Sequence, residues 1–136
     1  MKKKSWVIML ILWMAIIFTA TQLPYFKGEN TESVIHQSDF FANHFDTNLL
    51  NLIVRKLTHL TVFGILAVLF FKSIGRVRYR YLLTWLFTSL YALSDEWHQS
   101  FVPGRESSYK DVLLDSFGAF LVLSFIYLLN KRKKPV

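Results

Sequence analysis

The sequence predicts an all-α, polytopic membrane protein with four transmembrane helices and a short interfacial helix before the second. Three observations predict it. Four apolar stretches, roughly residues 5–23, 55–71, 81–99 and 112–130, approach the length a helix needs to cross a hydrocarbon layer. Cations recur at alternate ends of these stretches. Lys2, Lys3 and Lys4 precede the first, Lys72, Arg76, Arg78 and Arg80 separate the second from the third, and Lys131, Arg132, Lys133 and Lys134 follow the fourth. All nine carboxylates and all four histidines fall toward the opposite ends. By the positive-inside rule the basic ends are cytoplasmic, so both termini are expected there. The formal charge of +7 then reflects topology and attraction to anionic lipid, and no nucleic-acid partner is expected.

The composition bounds the rest. With 136 residues the chain is one domain, and a single small soluble core could not hide four such stretches. Cysteine is absent, which excludes disulfides, thiol nucleophiles and thiolate metal sites. No internal repeat is visible.

Taken in order, the first stretch follows three lysines and is long enough to span. No small-x-small cleavage site follows it, so it is expected to be a retained span rather than a leader. The loop after it begins polar and contains His36 and His44, most simply solvated. Its second half changes character: Phe41, Phe45, Leu49 and Leu52 recur at helical spacing after Ser38-Asp39, an N-cap signal. This predicts a short helix on the outer interface, running into the second span. The basic loop 72–80 is short, making spans two and three antiparallel neighbours. Pro103-Gly104 marks a turn between spans three and four. Ser116, Gly118 and Ala119 give span four a small-residue patch suited to close helix packing. Trp6 and Trp85 toward the inner face, and Tyr25, Trp97 and Tyr109 toward the outer, fit aromatic belts.

Polar groups interrupt the spans at matched depths. At about 1.5 Å per residue, His59 is roughly 20 Å above Lys72, Asp95 roughly 21 Å above Tyr81, and Asp115 roughly 22 Å above Asn130. One turn higher lie Arg55, Gln99 and Asp111. The pairs Arg55/His59, Asp95/Gln99 and Asp111/Asp115 are each four residues apart and share a helix face. Three helices thus present polar pairs toward one interior, a pocket open to the outer side. Charged groups in an apolar layer are costly and are functional candidates by default.

Two readings accompany each residue. His59 is a proton shuttle, its tautomer set by Asp95 or Asp115, or simply a bridge between helices. Arg55 and Arg105 hold an anionic group, or Arg55 makes a structural salt bridge to Asp111 or Asp115. Glu96 is a general acid or base. Alternatively Asp95, Glu96, Asp111 and His59 surround a divalent cation, zinc, manganese or magnesium, although no familiar metal spacing is present. Asp111 also suits a helix N-terminus, whereas Asp115 is too deep for that alone. Lys56 is expected to snorkel to the headgroups and His98 to sit at the interface. The catalytic candidates are therefore His59, Glu96, Asp95 and Asp115, and the substrate-binding candidates Arg55, Arg105, Gln99 and Asp111. No nucleophile is compelling among Ser94, Thr58 and Asp115.

The ordered set Arg55-Lys56-x-x-His59, Asp95-Glu96-x-x-Gln99-x-Phe101-x-x-x-Arg105 and Asp111-x-x-x-Asp115-x-x-Gly118 resembles the VanZ-like family of small bacterial membrane proteins. The resemblance covers all four spans, including the Thr19–Pro24 ending of the first. One position departs from the pattern: the family commonly has Asn where this chain has Asp115. The family is named for a protein that gives low-level resistance to teicoplanin, a lipoglycopeptide that binds cell-wall precursors. The resemblance implies a bacterial cell-membrane location and a role in the envelope, with an effect on teicoplanin susceptibility.

Three functions are compatible with these residues. In the first, the protein acts on or binds an anionic envelope lipid or cell-wall precursor at the outer leaflet, with Arg55 and Arg105 holding the head while His59 and Glu96 exchange protons. In the second, it shields such a target without chemistry. The third, a small proton-coupled transporter, is weaker because the inner half of every span reads as apolar.

Overall fold

The computed structural model describes residues 3–22, 46–103 and 107–132. Those residues form four α-helices and no strand: α1 (Lys3–Gln22), α2 (Thr47–Ile74), α3 (Arg80–Gln99) and α4 (Tyr109–Arg132). Asp46 caps α2, its carboxylate accepting from the backbone N–H of Asn48 at 3.0 Å and Leu49 at 3.3 Å. These bonds satisfy two donors that the first turn leaves unpaired. The interfacial helix predicted after Ser38-Asp39 lies, as far as Phe45, outside the described residues. Leu49 and Leu52 already belong to α2.

α2 ends at Gly75, whose φ of 79° is the left-handed conformation that glycine adopts without steric cost. The next helix ties back to this end. Arg80 Nε donates to the Phe71 carbonyl at 2.7 Å, and the guanidinium lies 3.7 Å from the Phe71 ring centroid. One arginine therefore satisfies an orphan carbonyl of α2 while starting α3.

Lys3, Lys4, Lys72, Arg76, Arg78, Arg80, Lys131 and Arg132 gather at one end of the bundle. Lys72 lies over the Trp6 ring, Lys3 approaches Gly75, and Asn130 donates to the Tyr81 hydroxyl at 3.1 Å. At the other end His98 joins Gln22 at 2.7 Å and stacks on Phe18.

α2 is the central helix and packs on each of the other three; α3 and α4 also pack on each other. Leu10, Ile17, Phe63, Leu66, Leu69 and Ala92 form the buried apolar cluster. The approach of α4 to α2 is closest at two glycines. A Cβ on Gly118 would come within 2.9 Å of the Leu60 carbonyl oxygen, and one on Gly64 within 3.1 Å of Val122. Small residues that let helix backbones meet are characteristic of packing in lipid, where no hydrophobic force draws helices together.

Three helices, α1, α2 and α4, are long and apolar enough to cross a membrane. Their outward surfaces carry leucine, isoleucine and phenylalanine side chains over most of their length. An apolar surface this continuous belongs against hydrocarbon rather than water. α3 has a comparable length, but Arg80, Thr84, Thr88, Asp95, Glu96, His98 and Gln99 dilute its hydropathy. Those polar residues are turned inward. Thr84, Thr88, Asp95, Glu96 and Gln99 are buried, while Leu82, Leu86, Leu90 and Leu93 are exposed.

Candidate functional site

Toward the end opposite the basic residues, α2, α3 and α4 each contribute one ionisable side chain to a shared interior. His59 comes from α2, Glu96 from α3 and Asp115 from α4. One nitrogen or oxygen of each lies within 4.8 Å of the others. His59 Nδ1 is 3.3 Å from Asp115 Oδ2. A neutral imidazole that donates from Nδ1 to this carboxylate keeps Nε2 as its free lone pair. Asp115 is fully buried, at 0 % exposure, and its Oδ1 has no hydrogen-bond partner. Unpaired carboxylate oxygen at such a depth is expensive in a low-dielectric interior.

Glu96 is oriented from the far side. Its Oε2 accepts from the backbone N–H of Ser108 at 2.9 Å, just before α4 begins. The segment Ser108-Tyr109-Lys110-Asp111 has the form of a capping box, in which the aspartate would turn back to the serine N–H. Here the serine hydroxyl accepts from Lys110 N at 3.2 Å, but its N–H is given to Glu96 instead. Asp111 pairs with Lys56 across the α2–α4 interface. The capping-box pattern was present in the sequence and is the signal by which Ser108 could have been singled out.

The remaining candidates divide around this centre. Asp111 is buried and receives the ammonium of Lys56, which therefore does not simply snorkel outward. The salt bridge expected of Arg55 is made by Lys56, and Arg55 is exposed. The physical reason is helix rotation, since neighbouring residues differ by about 100° and only one of the two can face α4. Asp95 and Gln99 are both buried and joined on their own helix, Gln99 Nε2 donating to Asp95 Oδ2 at 2.8 Å. Asp95 also borders a cleft of about 280 Å³ whose other walls include Phe18, Tyr91, Trp97, His98 and Phe101. Arg105 lies outside the described residues. His98 lines the cleft and bridges α3 to α1.

The half of the bundle nearer the basic end is not wholly apolar. Ser73, Thr84 and Thr88 are buried there, and the hydroxyls of Ser73 and Thr84 have no hydrogen-bond partner. Thr88 donates to the Thr84 carbonyl at 2.8 Å, the self-satisfying bond by which hydroxyl residues fit into helices in lipid.

The arrangement can hold and move a proton between imidazole and carboxylate, or present nitrogen and oxygen ligands from three helices to a cation. A family model described as VanZ/LLP1 matches residues 6–130, and the chain belongs to that family. No curated protein and no solved structure matches the chain.

Proposed function

We propose that this VanZ/LLP1 chain is a four-span bacterial membrane protein that receives the anionic head of an envelope lipid or cell-wall precursor at the outer leaflet. The observation that carries the reading is the convergence of His59, Glu96 and Asp115 from three helices. Ionisable groups are costly in apolar spans, and those facing a bundle interior are functional candidates by default. The inverted surface of α3, leucines out and carboxylates in, supports its being the fourth span. The lysines and arginines gathered at the other end support placing both termini in the cytoplasm. In this orientation the site lies in the outer half of the membrane.

Arg55, exposed beside the engaged Lys56, and Arg105 hold the anionic head. Gln99 and Asp111 contribute polar contacts, and the aromatic cleft beside Asp95 suits a hydrocarbon chain. His59 and Glu96, with Asp115 beside them, serve proton exchange if the ligand is also transformed. A shielding protein would need only the binding residues.

Teicoplanin susceptibility in a sensitive Gram-positive host tests the reading. The wild-type chain, Glu96→Gln and His59→Ala are expressed at matched membrane levels. Resistance from the wild type that both substitutions abolish supports chemistry at the site. Resistance that survives Glu96→Gln, which keeps shape while removing a base, supports shielding. Susceptibility unchanged by the wild type removes the link to teicoplanin. The absence of cysteine makes the topology testable separately: single cysteines replacing Ser107 and Arg78 should label from outside and from inside, respectively.

A further inference from the structure

We propose that His59, Glu96 and Asp115 bind one divalent cation of the zinc or manganese type, in a three-ligand site with an open position. The donor set is one imidazole nitrogen and two carboxylate oxygens. That combination suits borderline divalent ions, whereas magnesium prefers an all-oxygen, heavily hydrated shell. Three ligands on three separate helices form a site held by rigid elements rather than by a loop.

The distances fit. Two ligands about 2.0–2.2 Å from a tetrahedral ion are separated by about 3.3–3.6 Å along the edge of the coordination shell. His59 Nδ1 and Asp115 Oδ2 are 3.3 Å apart, long for a charge-assisted hydrogen bond but suited to two ligands of one ion. All three ligand atoms lie within 4.8 Å of one another, a bound looser than that edge. A rotation of Glu96, the longest side chain of the three, would close any remaining gap. Ser108 N–H holds Glu96 Oε2, leaving Oε1 for the ion, the kind of outer contact that orients metal-ligating carboxylates.

Asp115 supplies the independent observation. It is fully buried, yet Oδ1 has no hydrogen-bond partner. Among the described residues, no cation makes an ion pair with Glu96, and His59 alone pairs with Asp115. Lys56 is committed to Asp111, and Arg55 points to the surface. A dication compensates both buried carboxylates at once, which a single shared proton does not. The ligand set also differs from one that would include Asp95 and Asp111, because Gln99 and Lys56 occupy those two carboxylates.

This inference stands on the geometry and does not require the lipid reading. It adds to that reading an open coordination position, where a phosphate or carboxylate oxygen of the head would sit. The experiment uses the full chain in detergent micelles, free of affinity tag and stripped with chelator. Zinc chloride and manganese chloride are titrated calorimetrically, and bound metal per chain is counted by elemental analysis. One zinc or manganese ion per chain is expected. Asp115→Asn and Glu96→Gln should each weaken binding about tenfold or more. The double substitution His36→Ala/His44→Ala should leave the stoichiometry intact. Helical circular dichroism and a monodisperse elution establish that each variant is folded, and His59→Gln replaces any that is not. Failure of the wild type to bind either ion overturns the proposal. So does unchanged affinity in the folded site variants, or loss of the ion when only His36 and His44 are replaced. None of these readouts depends on teicoplanin or lipid, so the two proposals fail separately.

Discussion

α1 and α3 are both 20-residue helices packed on the same central helix, with opposite chemistry. α1 buries only Leu10, Ile17 and Thr21 and spreads apolar side chains over the rest of its surface. Its polar ties are few: Trp13 Nε1 donates to the Val62 carbonyl at 3.2 Å, Tyr91 to the Met14 carbonyl at 2.7 Å, and Gln22 meets His98. α3 buries Thr84, Thr88, Asp95, Glu96 and Gln99 and exposes leucines. In water the more hydrophobic helix would be the more buried. In lipid the preference inverts, because hydrocarbon solvates leucine as well as a protein interior does, whereas a carboxylate must face protein. The helix that reads least like a span contributes Glu96 to the site and buries Asp95 and Gln99 as well.

The largest expected effect strikes α3's outward stripe. Leu90 is 52 % exposed, and if that face meets hydrocarbon, Leu90→Asp should cost about 2.5–3.5 kcal/mol of insertion free energy. Recovery in the membrane fraction should fall by an order of magnitude or more. Unchanged recovery would break the comparison at its root and place α3 outside the hydrocarbon.

A middle effect separates two adjacent cations on α2. Lys56→Ala leaves Asp111 buried without its ammonium. The pair is intermediate between exposed and buried limits, so about 1–2 kcal/mol of stability should be lost. Arg55→Ala should change stability by less than about 0.5 kcal/mol, as surface substitutions do. Thermal unfolding in micelles reads both. Equal losses would mean that Arg55 shares the inward face.

This pair also shows what the sequence can and cannot carry. Helix content follows from apolar runs of spanning length, and the depth of a residue follows from counting along a fixed rise. His59 and Asp115 are thus placed at one level from the sequence, and they are in contact. Helix rotation does not follow from counting. Counting gives the bridge to Asp111 to Arg55 and sends Lys56 to the headgroups, whereas the packing of α2 on α4 at Gly64 and Gly118 turns Lys56 toward Asp111. The same ambiguity hides which of Asp95 and Glu96 turns toward His59. Glu96 does, while Asp95 is taken up by its own helix through Gln99. The N–H that orients Glu96 belongs to Ser108, and a backbone group leaves no composition signal; only the capping-box pattern hints at it.

A smaller effect probes the seam between the two contrasted helices. Tyr91→Phe removes the bond to the Met14 carbonyl and keeps the ring, which packs against the apolar cluster. About 0.5–1.5 kcal/mol should be lost, measured by the same unfolding experiment. A loss above that range would show that α1 is held to α3 mainly through polar contact, and would weaken the distinction drawn between them.

The smallest effect is the sharpest test of the inversion itself. Ile8 on α1 is 58 % exposed. In water-facing terms Ile8→Ala removes surface hydrophobicity and should change little. In lipid-facing terms it removes methylenes that hydrocarbon would have solvated in the folded and the separated helix alike, so stability should again move by less than about 0.5 kcal/mol. The two settings diverge only in the polar version. Ile8→Ser is harmless against water, but against hydrocarbon it leaves a hydroxyl that must bond to its own helix, as Thr19 does with the Ala15 carbonyl at 2.9 Å. A threonine hydroxyl already accommodated on α1 indicates that the helix can absorb such a change locally. Ile8→Ser should therefore stay within about 1 kcal/mol, the net worth of one hydrogen bond. Ile8→Asp has no such local remedy and, being nearer its helix end than Leu90, should impair insertion more than Ile8→Ser but less than Leu90→Asp. A graded response across Ala, Ser and Asp is what a helix bathed in lipid must give, and a flat response would place Ile8 against water.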